Sequence, residues 1–349
     1  VKRVYVHCGL HKTGSTALQT AFKRSADKLR EIGVLYPRTG RLDTLGGGHH
    51  NIAWQAARDR RFDAGLGTIG ELIAEVNAFP GNTVLSSEDF ETLLSTARSL
   101  QDLRAAFAGA DAEIILVIYL RNQMSYCESI FIENLGQWIG EEYRRYVETI
   151  LRTGRLALKD WAFQFGYGQL ADSLAATGGA VAVRNYHTLD GDSVITDFAG
   201  VIGVDSAIFG EDAQLRSNDR LPTQTLLRLF HRNRTGRPIG DLEAKAIKLI
   251  SDGIGTRRLV SSNATYNALR ATFMHGNQKL CRQFGLSETG LDLVVPTYNP
   301  AETVLYDQAF SFEFQFVVTQ MRHLFANGQP DQAAALARPF IDKLLTHQV

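Results

Sequence analysis

Cysteine is scarce in this chain. Cys8, Cys127 and Cys281 are the three it has, in 349 residues. They are scattered, odd in number and without metal-ligand spacing, so neither a disulfide framework nor a cysteine metal site is expected, and free thiols are. Charge of one sign is also not in surplus. Lys plus Arg and Asp plus Glu both number 37, giving a formal net charge of zero. A general nucleic-acid binder carries a basic excess, so no nucleic-acid partner is expected. A locally basic pocket for an anion is still compatible with that balance. No apolar run approaches the roughly 20 residues that cross a bilayer, so no membrane span is expected. No signal-peptide pattern precedes the first apolar stretch, and the expected location is the cytoplasm. Position 1 is Val rather than Met, which leaves room for a short leader. Internal repeats, low-complexity tracts and long linkers are missing as well.

What is present is ordinary globular material, 44% hydrophobic and 21% charged, enough to bury a sizeable core. Strand character marks 3–8, 33–37, 83–87, 113–120 and 180–186. The run Ile114–Leu120 is the most apolar, as suits a parallel strand buried on both faces. Between these stretches, helical periodicity covers 15–29, 52–61, 69–79, 93–107, the segment after Arg121, 141–151, 161–176 and 192–202, the last capped by Asp192 or Ser193. The β-α alternation predicts an α/β fold, a parallel sheet flanked by helices. From about 206 helices are expected at 222–232, 241–252, 262–274, 277–284 and over most of 303–346. The expectation is a single domain, 1–349, with a nucleotide-binding core over 1–205 and a mainly helical covering region over 206–349.

The most informative stretch is Val4-Tyr5-Val6-His7-Cys8-Gly9-Leu10-His11-Lys12-Thr13-Gly14-Ser15-Thr16. An apolar strand enters a glycine-bounded turn, and a helix begins at hydroxyl residues. Such a turn offers backbone N–H groups and a helix N-terminus to a phosphate. Gly9 and Gly14 bracket four residues as in a Walker A loop, but Ser15 stands where the Walker lysine belongs. The lysine is Lys12, inside the turn. The strand 113–120 ends in Arg121, a cation where a metal-binding carboxylate would sit in a nucleoside-triphosphate enzyme.

The pattern Lys12-Thr13-Gly14-Ser15-Thr16 resembles the 5′-phosphosulfate loop of sulfotransferases that use 3′-phosphoadenosine 5′-phosphosulfate (PAPS). Arg121 at a strand end, with Ser129 eight residues on, resembles the pair with which that family binds the 3′-phosphate. The likeness is best over 3–205 and points to a P-loop-type sheet and to the bacterial or carbohydrate-acting branch. Arg216–Leu221 and Pro222 are loosely similar to a bacterial segment. Two features depart from the cytosolic enzymes. Ala17 occupies the place of their adenine-stacking tryptophan, and their late Arg-Lys-Gly segment has only Arg234-Thr235-Gly236-Arg237 as a substitute.

The resemblance implies in-line transfer of a sulfuryl group from PAPS to a hydroxyl or amine, on a small-molecule or saccharide acceptor, with no metal expected. Such chemistry needs a cation for the charge developing on the leaving oxygen and a base for the acceptor proton. Lys12 is the cation. His11, Thr13, Gly14, Ser15 and Thr16 join it around the 5′-phosphate, and Arg121 and Ser129 take the 3′-phosphate. For the base, Glu88 follows a strand in Ser86-Ser87-Glu88, which resembles the segment carrying the bacterial base, and His50, beside His49, lies in a glycine-rich loop. Both stay open. Trp54, Trp138, Tyr143 and Tyr298 are aromatics that could stack on a sugar. The alternatives are a P-loop kinase using ATP and a non-catalytic nucleotide-binding protein.

Overall fold

Alternating and continuous apolar stretches become seven strands in the first part of the chain: β1 (Arg3–His7), β2 (Val34–Leu35), β3 (Asn82–Ser86), β4 (Glu113–Leu120), β5 (Arg155–Leu158), β6 (Trp161–Gln164) and β7 (Val181–Asn185). The computed structural model describes residues 1–137, 140–189, 193–215 and 221–346. Trp138, Asp192 and the segment 216–220 lie outside the described residues. The chain divides into two compact units. The first comprises Val1–Gln123, Thr153–Asn218 and Phe273–Asp292, and the second Met124–Arg152, Asp219–Thr272 and Leu293–Val349.

The first unit is α/β. Its sheet has the order β2-β3-β1-β4-β7, with every neighbouring pair parallel. Val6 of β1 lies opposite both Leu85 of β3 and Leu116 of β4. The chain leaves β1 toward β2, returns to β3, and then passes β1 to reach β4. The strand order therefore reverses at the carboxyl end of β1, the place where open α/β sheets receive ligands. On one face Tyr5, Val84, Val117 and Tyr119 pack with Leu18 and Phe22 of the helix Ser15–Arg24 and with Ile195 and Phe198 of the helix Val194–Ile202. Phe22 meets the rings of Phe198 at 5.5 Å and Phe209 at 4.8 Å. Burying each such side chain contributes about 1.5–3 kcal/mol.

Three expectations about elements need correction. The helix expected over 161–176 is a strand followed by a helix, Tyr167–Thr177, because β6 folds back on β5 with Leu158 opposite Trp161. The two-residue turn is Lys159-Asp160, with Lys159 at φ 51°. Such hairpin turns favour Asn-Gly or Asp-Gly, so Lys-Asp carries little turn signal. The two helices expected at 262–274 and 277–284 are one, Asn263–Phe284. Gly276 sits inside it because a Cβ there would come 2.9 Å from the Gly168 backbone, a close crossing that no larger residue permits. Beyond 206, a parallel pair, β8 (Arg258–Val260) with β9 (Thr303–Leu305), adds strand where helix was expected.

The second unit is mainly helical. Phe131, Tyr143, Tyr146, Tyr306 and Phe310 stack and meet edge to face in its core. Among the described residues of the whole chain, no helix is long and apolar enough to cross a membrane.

Candidate functional site

The site grows from the carboxyl end of β1. Past His7 the chain keeps to β4: the Cys8 N–H reaches the Val117 carbonyl at 2.8 Å and the Leu10 N–H reaches that of Tyr119 at 3.4 Å. It then turns through Lys12 at φ 65° and Gly14 at φ 84°, ψ 14°, both left-handed. Gly14 admits that geometry freely, whereas for lysine it costs roughly 1–2 kcal/mol. The helix opens at Ser15, and its first internal bond runs from the Leu18 N–H to the Gly14 carbonyl at 3.1 Å. The N–H groups of Ser15, Thr16 and Ala17 thus precede the helical ladder and carry the positive end of its dipole. Left-handed residues within a turn of this kind form a concave row of N–H groups suited to an anion.

Each loop residue has a distinct place. Lys12 and Thr16 are exposed, and Thr13 is buried with its hydroxyl donating to the Leu10 carbonyl at 2.6 Å. Ser15 is buried, and its Oγ has no hydrogen-bond partner among the described residues. Gly9 is required by space. A Cβ on it would lie 2.6 Å from His7 Nε2 and 3.0 Å from Ser15 Oγ. His11 turns to Glu91, whose Oε2 accepts from the His11 N–H at 2.9 Å and contacts Nδ1 at 2.8 Å.

Arg121, just past β4, donates through Nη1 to the Lys12 carbonyl. Its guanidinium also lies 5.8 Å from the Tyr186 ring centre, past the end of β7. The loop and the arginine are therefore in direct contact. Ser129 lies in the second unit, on the helix Gln123–Gly136, and its hydroxyl donates to the Ser125 carbonyl at 2.8 Å.

Glu88 and its neighbours follow β3. Glu88 is half-buried, and its Oε2 accepts from Gln19 Nε2 at 2.7 Å. Gln19 is on the second turn of the loop's own helix, so the carboxylate is tied to the element that carries the turn. His50 is buried, and its Nδ1 lies 2.9 Å from Asp89 Oδ2 and 3.0 Å from Ser87 Oγ. Both partners meet the same ring nitrogen, so Ser87, His50 and Asp89 do not form a nucleophile-base-orienter relay, which needs opposite nitrogens. Burial pulls the His50 imidazole down, but the Asp89 hydrogen bond and the Glu88 and Asp89 charges raise it above its ordinary value. Burial pushes Asp89 up, yet His50, helped by the charges of His11 and Arg61, leaves it below the usual carboxylate range.

His49 and His7 are internal braces. His49 accepts the Ser86 N–H at Nδ1, 3.2 Å, and donates from Nε2 to the Pro37 carbonyl, 3.1 Å. Burial holds it down at about 3. His7 pairs with Ser86 Oγ at 2.8 Å, and burial lowers it to about 4.

Sequence reasoning passed over Gln19, Asp89 and Glu91, and with them Trp161. The indole N–H groups of Trp54 and Trp161 both donate to Asp89, at 2.9 and 3.0 Å, and the Arg61 guanidinium lies 4.8 Å from each ring. Trp54 is thus a buried packing residue with its N–H engaged. Tyr143 is fully buried in the second unit, and Tyr298 bonds Tyr266 through their hydroxyls at 3.1 Å. Arg234 and Arg237 are held in ion pairs with Glu142 and Glu243. The one signal that could have marked Glu91 is its place three residues after Glu88, on the same short turn Glu88–Leu94. Comparison with family models, with curated proteins and with solved structures returned no match for this chain.

Proposed function

We propose that the chain is a PAPS-dependent sulfotransferase with a P-loop-type phosphate site, acting on a hydroxyl or amine acceptor. The observation that carries this reading is the contact of Arg121 with the Lys12 carbonyl at the sheet's switch point. It joins the two elements the nucleotide needs, a turn for the 5′-phosphosulfate and a cation for the 3′-phosphate. Ser15 in the Walker lysine's place favours phosphosulfate over a triphosphate.

In this scheme the N–H groups of Ser15 and Thr16, with the buried Ser15 hydroxyl, hold the 5′-phosphate. Lys12 neutralises the charge that develops on the bridging oxygen as the S–O bond to the nucleotide breaks. Glu88 takes the proton of the acceptor as its oxygen or nitrogen bonds to sulfur. Glu88 is preferred to His50 as the base because it is half-buried and turned to Gln19, whereas the His50 ring is enclosed and committed to Asp89. His50 then acts on Glu88 through charge.

Calorimetric titration tests the reading with 3′-phosphoadenosine 5′-phosphate and, separately, ATP with Mg²⁺. The bisphosphate is expected to bind, and to bind more tightly than ATP. Binding of ATP with Mg²⁺ alone would overturn the assignment in favour of a kinase, and binding of neither would remove the nucleotide altogether.

A further inference from the structure

Glu91 is the only carboxylate among the described residues with 0% exposure. It lies on the turn Glu88–Leu94, and its two oxygens serve two distant segments. Oε2 accepts the His11 N–H at 2.9 Å and contacts His11 Nδ1 at 2.8 Å, while Oε1 accepts the Gln164 N–H from β6 at 2.6 Å. The Phe163 ring closes on His11 edge-on, at 4.9 Å between centres. A buried carboxylate is stabilised in such a place only by hydrogen bonds that meet its lone pairs.

The next residue after His11 is Lys12, the one loop residue other than glycine with positive φ. A strained lysine persists only where its surroundings over-determine it. Three clasps do so here. Glu91 holds His11 before it, the Thr13 hydroxyl closes back on Leu10 after it, and Arg121 holds its carbonyl. Of these, Glu91 alone grips the backbone N–H and the side chain of one residue together.

We propose that Glu91 is a positioning residue for the anion cradle. Through His11 it keeps the turn around Lys12 in its left-handed shape, and thereby sets the loop's affinity for a phosphate or phosphosulfate group. This inference rests on the reading of the loop as a phosphate cradle. Glu91 touches no reacting atom and acts through His11.

The test uses Glu91→Gln and His11→Ala in the full chain. An amide has one accepting oxygen, so Glu91→Gln keeps the shape but must turn an N–H toward either His11 or Gln164. His11→Ala removes the ring contact and leaves Gln164 bonded to Glu91. In the absence of ligand, amide hydrogen exchange over 9–16 is expected to accelerate about tenfold in both variants, with β4 and the helix Val194–Ile202 unchanged. The low-field proton signal of His11 Nδ1–H is expected in the native chain and lost in Glu91→Gln. Affinity for 3′-phosphoadenosine 5′-phosphate is expected to fall about tenfold, equal to about 1.4 kcal/mol. Unchanged exchange over 9–16 in both variants would overturn the proposal, as would faster exchange with undiminished affinity. If the native chain ignored the nucleotide while the exchange response and the His11 signal appeared, the sulfuryl-transfer reading would fail and the role of Glu91 in shaping the loop would stand.

Discussion

Lys12 combines an exposed ammonium with a left-handed backbone, and the two properties separate under substitution. Lys12→Ala is expected to leave unfolding free energy within about 0.5 kcal/mol, as for most exposed positions. Transfer should drop at least about 100-fold, the usual consequence of losing a group that meets transition-state charge. Near-normal turnover with PAPS would remove Lys12 from the mechanism. Glu88 and His50 also part company. Glu88→Gln should lose turnover and keep nucleotide affinity. His50→Ala should instead cost about 1–3 kcal/mol of stability, because the buried Asp89 carboxylate loses a donor. Turnover and denaturant unfolding on the same two variants decide this. If His50→Ala is the silent one in stability and the dead one in turnover, the base is His50. Glu88 and Arg121 were legible as residues because each follows an apolar strand, and Lys12 because it sits inside a glycine-bounded turn. Their partners were not, since Gln19 and Glu88 are 69 positions apart and Lys12 and Arg121 are 109 apart.

At the scale of elements, the strand-turn-helix unit depends on a glycine whose reason is spatial. Gly9→Ala would place a methyl 2.6 Å from His7 Nε2, on a ring that the Ser86 hydroxyl already holds. Overpacking of this kind costs about 1–3 kcal/mol, and nucleotide affinity should fall with it. An alanine variant of native stability and affinity, measured by unfolding and titration, would show that the turn tolerates the methyl. The β5–β6 hairpin shows where periodicity misleads. Trp161, Phe163 and Phe165 recur every second residue, the period of a strand, but over too few residues to stand apart from the helical stretch that follows. The choice fell to contacts: Asp89 takes the Trp161 indole, Glu91 the Gln164 N–H, and Asp160 the Arg60 guanidinium.

Across the whole molecule, buried histidines set the response to acid. His7 and His49 are fully buried and their folded values, about 4 and about 3, lie below that of an unfolded histidine. Their contribution is complete above about pH 6.5 and is lost as pH falls toward the folded values, because the unfolded chain takes up protons that the native fold refuses. Each should remove up to about 1.4 kcal/mol per pH unit in that window. His50 runs the other way. Its folded value is raised, so its contribution is present below the unfolded value and is lost as pH rises through the folded one. Burial also lowers His187 and His231, and together the lowered residues outweigh His50, so chemical unfolding should show lower stability at pH 5 than at pH 7. Equal stability at both would contradict neutral burial of His7 and His49. Ligand adds a second term: at 100 times its dissociation constant, a nucleotide should stabilise the chain by about 2.7 kcal/mol.

The sequence by itself determined the local things: five strands, most helices, the glycine-bounded turn with its internal lysine, and an arginine at the end of the most apolar strand. Each depends on spacing within a few residues, which composition and periodicity report. Tertiary structure alone decided that Arg121 meets Lys12, that Gln19 holds Glu88, that Asp89 claims His50 and two indoles, and that Glu91 clasps the loop. Those pairings follow from the parallel register of β3, β1 and β4, which brings three strand ends to one place. A buried carboxylate must then find its donors among whatever segments the register has delivered there, and no local pattern records which ones they are.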